Sequence, residues 1–125
     1  MIKGQKKNEA QLLAETVVSG MQEKKAREIV LIDLSNIENA ISKYFVICHG
    51  TSNQHVGAIS DSVEVEVEKV FDFSPWHKEG QRLAEWILMD YSDVVVHVFQ
   101  ESSRNFYKLE ELWADAVIKR FEDIQ

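Results

Sequence analysis

The chain has 125 residues, a hydrophobic content of 45%, and 21 acidic against 14 basic residues, which give a formal net charge of −7. This length predicts one domain, residues 1–125, with a self-sufficient core, and no apolar run is long enough to cross a bilayer. The acidic balance argues against a dominant nucleic-acid contact, because such contacts are made mainly through Lys and Arg. A basic protein partner remains an alternative to plain solubility, which charge alone favours.

The N-terminus and the single cysteine bear on the cellular compartment. The first residues are basic, but no apolar stretch follows them, so we expect no secretory signal. Cys48 is the only cysteine, which excludes an internal disulfide, and it lies in the apolar run YFVIC. A reduced, buried thiol is therefore expected, and the chain is predicted to be cytoplasmic.

The chain begins with a predicted helix and two predicted strands. Asn8 to Lys25 has apolar residues at helical spacing and predicts an amphipathic helix that frays after Gly20. Glu28 to Leu34, EIVLIDL, is rich in β-branched residues and predicts a buried strand. Tyr44 to Cys48 predicts a second strand that ends at a His-Gly pair.

A second helix is predicted after the second strand. Thr51-Ser52-Asn53 offers N-cap side chains. The string VEVEVE that follows has the alternation of a strand, but the apolar stripe from Val56 to Val70 keeps one face apolar for four turns. That stripe favours a helix. Phe71 to Glu79, with the only proline, is predicted to be a loop.

Ala84 to Gln100, AEWILMDYSDVVVHVFQ, predicts an antiparallel hairpin. With Tyr91 and Ser92 as a two-residue turn, the opposite pairs would be Asp90 and Asp93, Leu88 and Val95, and Trp86 and His97. One face would be ordinary core: Ile87, Met89, Val94, Val96 and Val98. The other, called here the hairpin face, would carry Trp86, Leu88, Asp90, Asp93, Val95, His97 and Phe99. That mixture of aromatic and acidic residues predicts a surface covered by the chain's own helices or by a partner.

The last predicted element is a helix from Phe106 onwards. Its apolar stripe would be Leu109, Leu112, Trp113, Ala116, Val117 and Phe121. The element order then predicts an α/β (α+β) fold, with a small mixed β-sheet flanked by helices. Residues 8–25 would form the N-terminal helix, and residues 28–121 the α/β core.

Metal and nucleophile sites are not indicated. The spacing of the four histidines and the cysteine matches no zinc motif. Cys48 lies in mid-strand without a neighbouring base, so it does not have the setting of a nucleophile. No cofactor is therefore expected.

A nucleotidyltransferase-like enzyme is the catalytic alternative. His49-Gly50-Thr51 followed by Glu64-Val65-Glu66 resembles the phosphate-binding turn and the magnesium-binding carboxylates of such enzymes. On the predicted helix, however, positions i and i+2 diverge by roughly 200°, so these carboxylates cannot hold one ion. Asp90 and Asp93 could meet across the hairpin turn, but no Lys/Arg cluster accompanies them. Catalysis is not expected.

Several segments between about Glu28 and Ala116 carry a family resemblance. They are Asp33 in LIDL, Tyr44 to Val56 (YFVICHGTSNQHV), Glu79-Gly80, and WILMDYSDVVVHVF followed by Arg104, Tyr107, Leu109-Glu110 and Leu112-Trp113. Their order and spacing resemble the ribosomal silencing factor family (RsfS, also called Iojap). The chain departs from that pattern at Lys43, Gln54 and Ser92, where Asp, Arg and Gly are common.

The resemblance implies a nucleotidyltransferase-like fold without the catalytic carboxylates, and no enzymatic activity. It further implies that the chain binds the universal large-subunit ribosomal protein fourteen, on the intersubunit face of the large ribosomal subunit. The bound factor would block the small subunit by steric exclusion and repress translation when nutrients are scarce. An acidic protein would dock on the basic ribosomal protein with little direct rRNA contact.

With this resemblance, the hairpin face becomes the expected partner-binding site. Trp86 would be its aromatic anchor, and a core tryptophan stacked on His97 is the alternative that the residues alone leave equally open. The expected site residues are Trp86, Leu88, Asp90, Asp93, His97 and Phe99, with Glu79 and Gly80 from the preceding loop, where Gly80 has a structural role as its alternative. Tyr107, Glu110 and Trp113 could form a second patch, although a core position is favoured for Trp113. Arg104 is expected to pair with a local carboxylate, and a homodimer through the hairpin face stays open.

Overall fold

The computed structural model describes residues 8–113 and 115–125. Its elements are α1 Glu9–Glu23, β1 Arg27–Asp33, β2 Tyr44–Gly50, α2 Asn53–Phe71, β3 His77–Glu79, β4 Trp86–Asp90, β5 Val94–Gln100, α3 Glu101–Tyr107, α4 Leu109–Leu112 and β6 Val117–Arg120. The strands form one sheet in the order β3-β4-β5-β2-β1-β6. β2 and β5 are parallel and the other pairs are antiparallel. The predicted mixed sheet flanked by helices is confirmed.

The two faces of the sheet bury separate apolar clusters. α1 and α2 cover one face, where Val17 and Ile59 pack with the predicted core residues of the hairpin. On the other face, buried Phe45, Val95 and Phe99 pack with partly buried Trp113. Across the described part of the chain, no helix combines the length and apolar character needed to cross a membrane.

α1 runs past Gly20, so the predicted fraying there is wrong. Asn8 caps the helix by accepting a hydrogen bond from the Gln11 backbone N–H at 2.7 Å. A Cβ at Gly20 would come within 2.8 Å of the Val63 Cα. The glycine therefore allows α1 and α2 to pack closely rather than ending α1, and the helix continues to Glu23.

The VEVEVE segment is helical, as predicted. Ser52 caps α2 by accepting a hydrogen bond from the His55 backbone N–H at 3.1 Å, and Asp72 ends the helix in the left-handed conformation. The predicted loop before the hairpin also contains the short edge strand β3, which was not predicted. Three residues are too few to show a strand pattern, and β3 exists because it pairs with β4.

The predicted hairpin is present, but its register and turn differ from the prediction. The observed pairs are Trp86 with Phe99, Leu88 with His97, and Asp90 with Val95. The strands are joined by Tyr91–Asp93, a three-residue loop in which Ser92 has a φ of 77° and donates its N–H to Asp90 Oδ1 at 2.7 Å. The register is shifted by two residues, and an even shift preserves the alternation of side chains. The strand residues of each face are therefore as predicted.

The predicted C-terminal helix from Phe106 is wrong. Lys108 has a φ of 49° and ends α3, and α4 has only four residues. Val117–Arg120 then pairs antiparallel with β1 and forms the edge of the sheet. The side chains of this segment alternate between the two faces of the sheet, as expected for a strand. Ile118 packs against one apolar cluster and Phe121 against the other. Residues 1–7 of the predicted domain lie outside the described residues.

Candidate functional site

A cluster of aromatic rings lies on the hairpin face, opposite α1 and α2. The Trp86 ring stacks on Phe99, with their centroids 4.9 Å apart and an interplanar angle of 29°. Tyr107 of α3 contacts the same indole at 4.7 Å. Phe99 is fully buried, Trp86 is half-buried and Tyr107 is 48% exposed. The cluster thus extends from the core to the surface, and Trp86 forms its middle layer.

His97 supports Trp86 through a hydrogen bond. The indole Nε1–H donates to His97 Nδ1 at 3.1 Å. An indole nitrogen can only donate, so Nδ1 must accept, and the proton of the neutral imidazole is on Nε2. Burial lowers the pKa of His97 to about 4, so the ring is neutral near pH 7. Trp86 therefore has features of both predicted roles, since it stacks within the aromatic cluster and is also partly exposed.

Acidic side chains lie to one side of this cluster, towards β3 and the hairpin turn. Asp90 is half-buried on β4, and Glu79 is exposed on β3, directly opposite Leu88. Cross-strand partners share a face, so Glu79, Leu88 and Asp90 lie on the same side of the sheet as Trp86. Asp93 is exposed in the turn. The result is an apolar cluster with an acidic edge on one side.

Gly80 has a structural reason to be glycine. Its φ is +93°, and a Cβ there would come within 2.0 Å of the Trp86 carbonyl oxygen. The chain after β3 can therefore pass close to β4 only without a side chain at this position. Gly80 helps to place the Trp86 backbone, and its predicted contact with a partner stays a prediction.

The predicted site residues differ in how accessible they are. Glu79, Trp86, Leu88, Asp90 and Asp93 have exposed or half-exposed side chains, whereas His97 and Phe99 are 4% and 0% exposed. His97 and Phe99 are therefore placed to support the site from below.

The contact between Tyr107 and Trp86 was not predicted from the sequence. The predicted last helix begins at Phe106, and it gives no reason for α3 to fold back over β5. Trp113 is half-buried and lies edge-on to Phe45 at 5.8 Å. It therefore packs against the core, close to the position favoured for it from the sequence.

Arg104 connects α3 and α4 to the sheet. Its guanidinium donates to Glu110 Oε2, at 2.8 Å from Nη2 and 3.1 Å from Nε, and to His49 Nδ1 at 3.0 Å. The expected pairing of Arg104 with a local carboxylate is thus confirmed. Burial opposes the charge on Glu110, but the hydrogen bond and charge of Arg104 outweigh it and lower the pKa of that carboxyl. Burial, together with the Arg104 charge, lowers the pKa of His49. This network holds α3, the helix that carries Tyr107, against the sheet.

The carboxylates considered for catalysis are engaged elsewhere. Glu64 and Glu66 are on α2, where they form ion pairs with Lys78 at 2.8 Å and Lys69 at 3.2 Å. Asp90 lies opposite Val95 rather than Asp93, so the predicted pairing of two aspartates across the turn does not occur. Cys48 is fully buried, and burial raises the pKa of its thiol to about 12.

Known proteins match this chain over most of its length. The family model described as "Ribosomal silencing factor during starvation" matches residues 7–125. "Ribosomal silencing factor RsfS" of Halalkalibacterium halodurans is 36% identical over 115 residues, which span 91% of this chain and 96% of that protein. The protein of the same name from Bacillus subtilis is 38% identical over 101 residues, spanning 75% of this chain and 78% of the relative.

The fold also matches a solved structure. A crystal structure of a protein from Chromobacterium violaceum superposes with a TM-score of 0.80 at 29% sequence identity. The superposition covers 86% of this chain and 88% of the other. Sequence and fold therefore point to the same group of proteins.

Proposed function

Because the chain belongs to the ribosomal silencing factor family, we propose that it represses translation by binding the large ribosomal subunit. The contact is with the universal large-subunit ribosomal protein fourteen. The bound protein excludes the small subunit sterically, and it acts in the cytoplasm when nutrients are limiting. No enzymatic step or cofactor takes part.

The observation that carries this proposal is the half-buried Trp86 on a surface that is acidic on the side of β3 and the hairpin turn. We call this surface the docking face and define it by Glu79, Trp86, Leu88, Asp90 and Tyr107. An aromatic anchor surrounded by polar residues is the usual arrangement of an interface hot spot. The indole is already held by Phe99, Tyr107 and His97, so docking need not order it, and the entropic cost of binding is lower.

Charge supports a basic protein as the partner. The net charge of −7 and the acidic edge of the docking face favour encounter with a positively charged ribosomal protein. The same charge disfavours contact with the phosphates of neighbouring rRNA, which proteins bind through Lys and Arg. Little direct rRNA contact is therefore expected.

Sedimentation tests this function. Purified protein is mixed with isolated large subunits, small subunits are added under joining conditions, and the mixture is separated on a sucrose gradient. The protein should migrate with free large subunits, be absent from joined ribosomes, and reduce joining as its concentration rises. Recovery with joined ribosomes, or joining that is unaffected at saturation, would contradict the proposal.

Two competing hypotheses have their own measurements. Light scattering of the free protein, with and without the ribosomal protein, separates a homodimer that uses the docking face from a complex of the two proteins. Calorimetry with nucleotide and magnesium tests the enzymatic alternative built on Asp90 and Asp93. Magnesium-dependent nucleotide binding would favour an enzyme over a silencing factor.

A further inference from the structure

We infer that His97 is a positioning residue that fixes the indole of Trp86 for docking by accepting its N–H. The inference rests on the proposed function of the docking face and assigns His97 a role in it that involves no direct contact with the partner. It also defines what Trp86 can offer to a partner.

The hydrogen bond determines which edge of the indole faces inward. Nε1–H donates to Nδ1 of a histidine that is only 4% exposed. The N–H edge of Trp86 is therefore satisfied inside the protein and is not available to a partner. What remains for a partner is ring surface, which suits an apolar or cationic contact and not a hydrogen-bond acceptor.

Stacking alone does not fix this orientation. Phe99 lies 4.9 Å and Tyr107 4.7 Å from the Trp86 ring. Such contacts hold the plane of the ring, but χ2 of a tryptophan is roughly two-fold, and a flip about the Cβ–Cγ bond would keep that plane while turning the N–H edge the other way. A directional hydrogen bond from one edge selects a single orientation. His97 is thus the element of the cluster that sets how Trp86 is presented.

The burial of His97 supports a specific role. Its Nε2–H is buried and has no hydrogen-bond partner among residues 8–113 and 115–125. A buried N–H without a partner is unfavourable, so packing alone would favour an apolar side chain at this position. The bond from Trp86 to Nδ1 is what an imidazole provides here and an apolar residue cannot. Burial without a charged partner also keeps the ring neutral, which the acceptor role requires.

Two substitutions at this position separate the effect of the hydrogen-bond acceptor from the effect of side-chain packing. His97→Leu removes the acceptor and keeps a buried side chain of similar size. His97→Asn is the matched control, because its carboxamide oxygen can accept from Trp86 near the position of Nδ1. His97→Phe is a second acceptor-free variant for use if the leucine variant does not fold.

The first readout is the free protein. The indole N–H of Trp86 is identified in a nitrogen-15 NMR spectrum by its loss in Trp86→Phe, and its exchange with solvent is measured. We expect exchange to be about tenfold faster in the Leu variant, as for the loss of one hydrogen bond, and close to wild type in the Asn variant. Unchanged exchange in an acceptor-free variant that folds would overturn the inference.

The second readout is affinity for the purified ribosomal protein fourteen. The acceptor-free variant should bind about tenfold more weakly than wild type, with the Asn variant in between or near wild type. In a Trp86→Phe background, the same substitution at His97 should have little further effect. If wild type does not bind, the proposed function fails. If wild type binds and the folded acceptor-free variant binds equally well, His97 is not a positioning residue.

Discussion

Trp86 of β4 donates its indole N–H to the buried His97 of β5 at 3.1 Å. The two residues are diagonal neighbours across the hairpin, because Trp86 lies opposite Phe99 and Leu88 opposite His97. This pair connects the core to the docking face. It also makes the state of one buried imidazole important both for stability and for the presentation of Trp86.

Stability should decrease as the pH falls through the titration range of His97. Burial lowers the pKa of His97 to about 4 in the folded protein, whereas the pKa of a histidine in an unfolded chain is about 6.5. Between these two pKa values the unfolded chain binds more protons than the folded protein. The contribution of His97 to the free energy of unfolding is therefore fully present above about pH 6.5 and is lost progressively down to about pH 4. The loss from this residue is of order 3 kcal/mol.

Urea unfolding at pH 7, 5.5 and 4.5 measures this dependence. His49 also has a pKa lowered by burial and contributes in the same direction. His97→Asn retains His49 and is therefore the control, and its pH dependence should be shallower than that of wild type. Equal slopes for the two proteins would show that His97 titrates normally.

Removal of Glu110 should destabilise the α3–α4 segment. Glu110→Ala leaves the guanidinium of Arg104, whose side chain is 6% exposed, without its carboxylate. We expect a loss of about 2 kcal/mol in the free energy of unfolding, which is less than the roughly 3–5 kcal/mol of a fully buried pair because the Glu110 side chain is 20% exposed. Glu111→Ala, at an exposed neighbouring position, should change it by less than about 0.5 kcal/mol. If the two variants are equally stable, the Arg104 network does not hold this segment in place.

Two glycine substitutions should have opposite effects. Gly80→Ala places a methyl group 2.0 Å from the Trp86 carbonyl oxygen at a φ of +93°, so a loss of roughly 2 kcal/mol or more is expected. Gly57 lies in α2 with nothing within 4 Å of an added Cβ. Gly57→Ala should therefore stabilise the helix by about 0.5–1 kcal/mol. Thermal unfolding measures both, and a Gly80→Ala variant as stable as wild type would show that β3 can pass β4 without the glycine.

Side-chain periodicity predicted the faces of the hairpin, but it could not predict the register. Alternation along β4 places Ile87 and Met89 on the opposite face from Trp86 and Leu88 whatever the turn, and an even shift in register leaves the residues of β5 on the same faces as well. The register depends on the conformation of the loop. Ser92 has a positive φ of 77°, and a serine at this position does not predict that conformation. At Gly80 the sequence does suggest a structural role for the glycine. The reason for that role, the close approach of the Trp86 carbonyl oxygen to this position, depends on the three-dimensional structure.

The prediction for the C-terminal segment was wrong for a different reason. Leu109, Leu112 and Trp113 have helical spacing, but the segment breaks at Lys108 in the left-handed conformation. β6 then forms because β1 offers an unpaired edge, some ninety residues earlier in the chain. Local patterns do not report such a distant partner. Because α3 was not predicted, the contact of Tyr107 with Trp86 could not be predicted either.

The most direct test of the central claim is the affinity of two matched variants for the purified universal large-subunit ribosomal protein fourteen. Leu88→Lys places a cation on the docking face, where Glu79 opposite it supports the fold while the basic partner is repelled. Val117→Lys makes the same change on β6, at the far edge of the sheet, where Val117 is 66% exposed. By calorimetry, with thermal unfolding to confirm folding, we expect Leu88→Lys to bind at least about thirtyfold more weakly. Val117→Lys should bind within about threefold of wild type. Wild-type affinity in Leu88→Lys, or a larger loss in Val117→Lys, would contradict docking through the Trp86 surface.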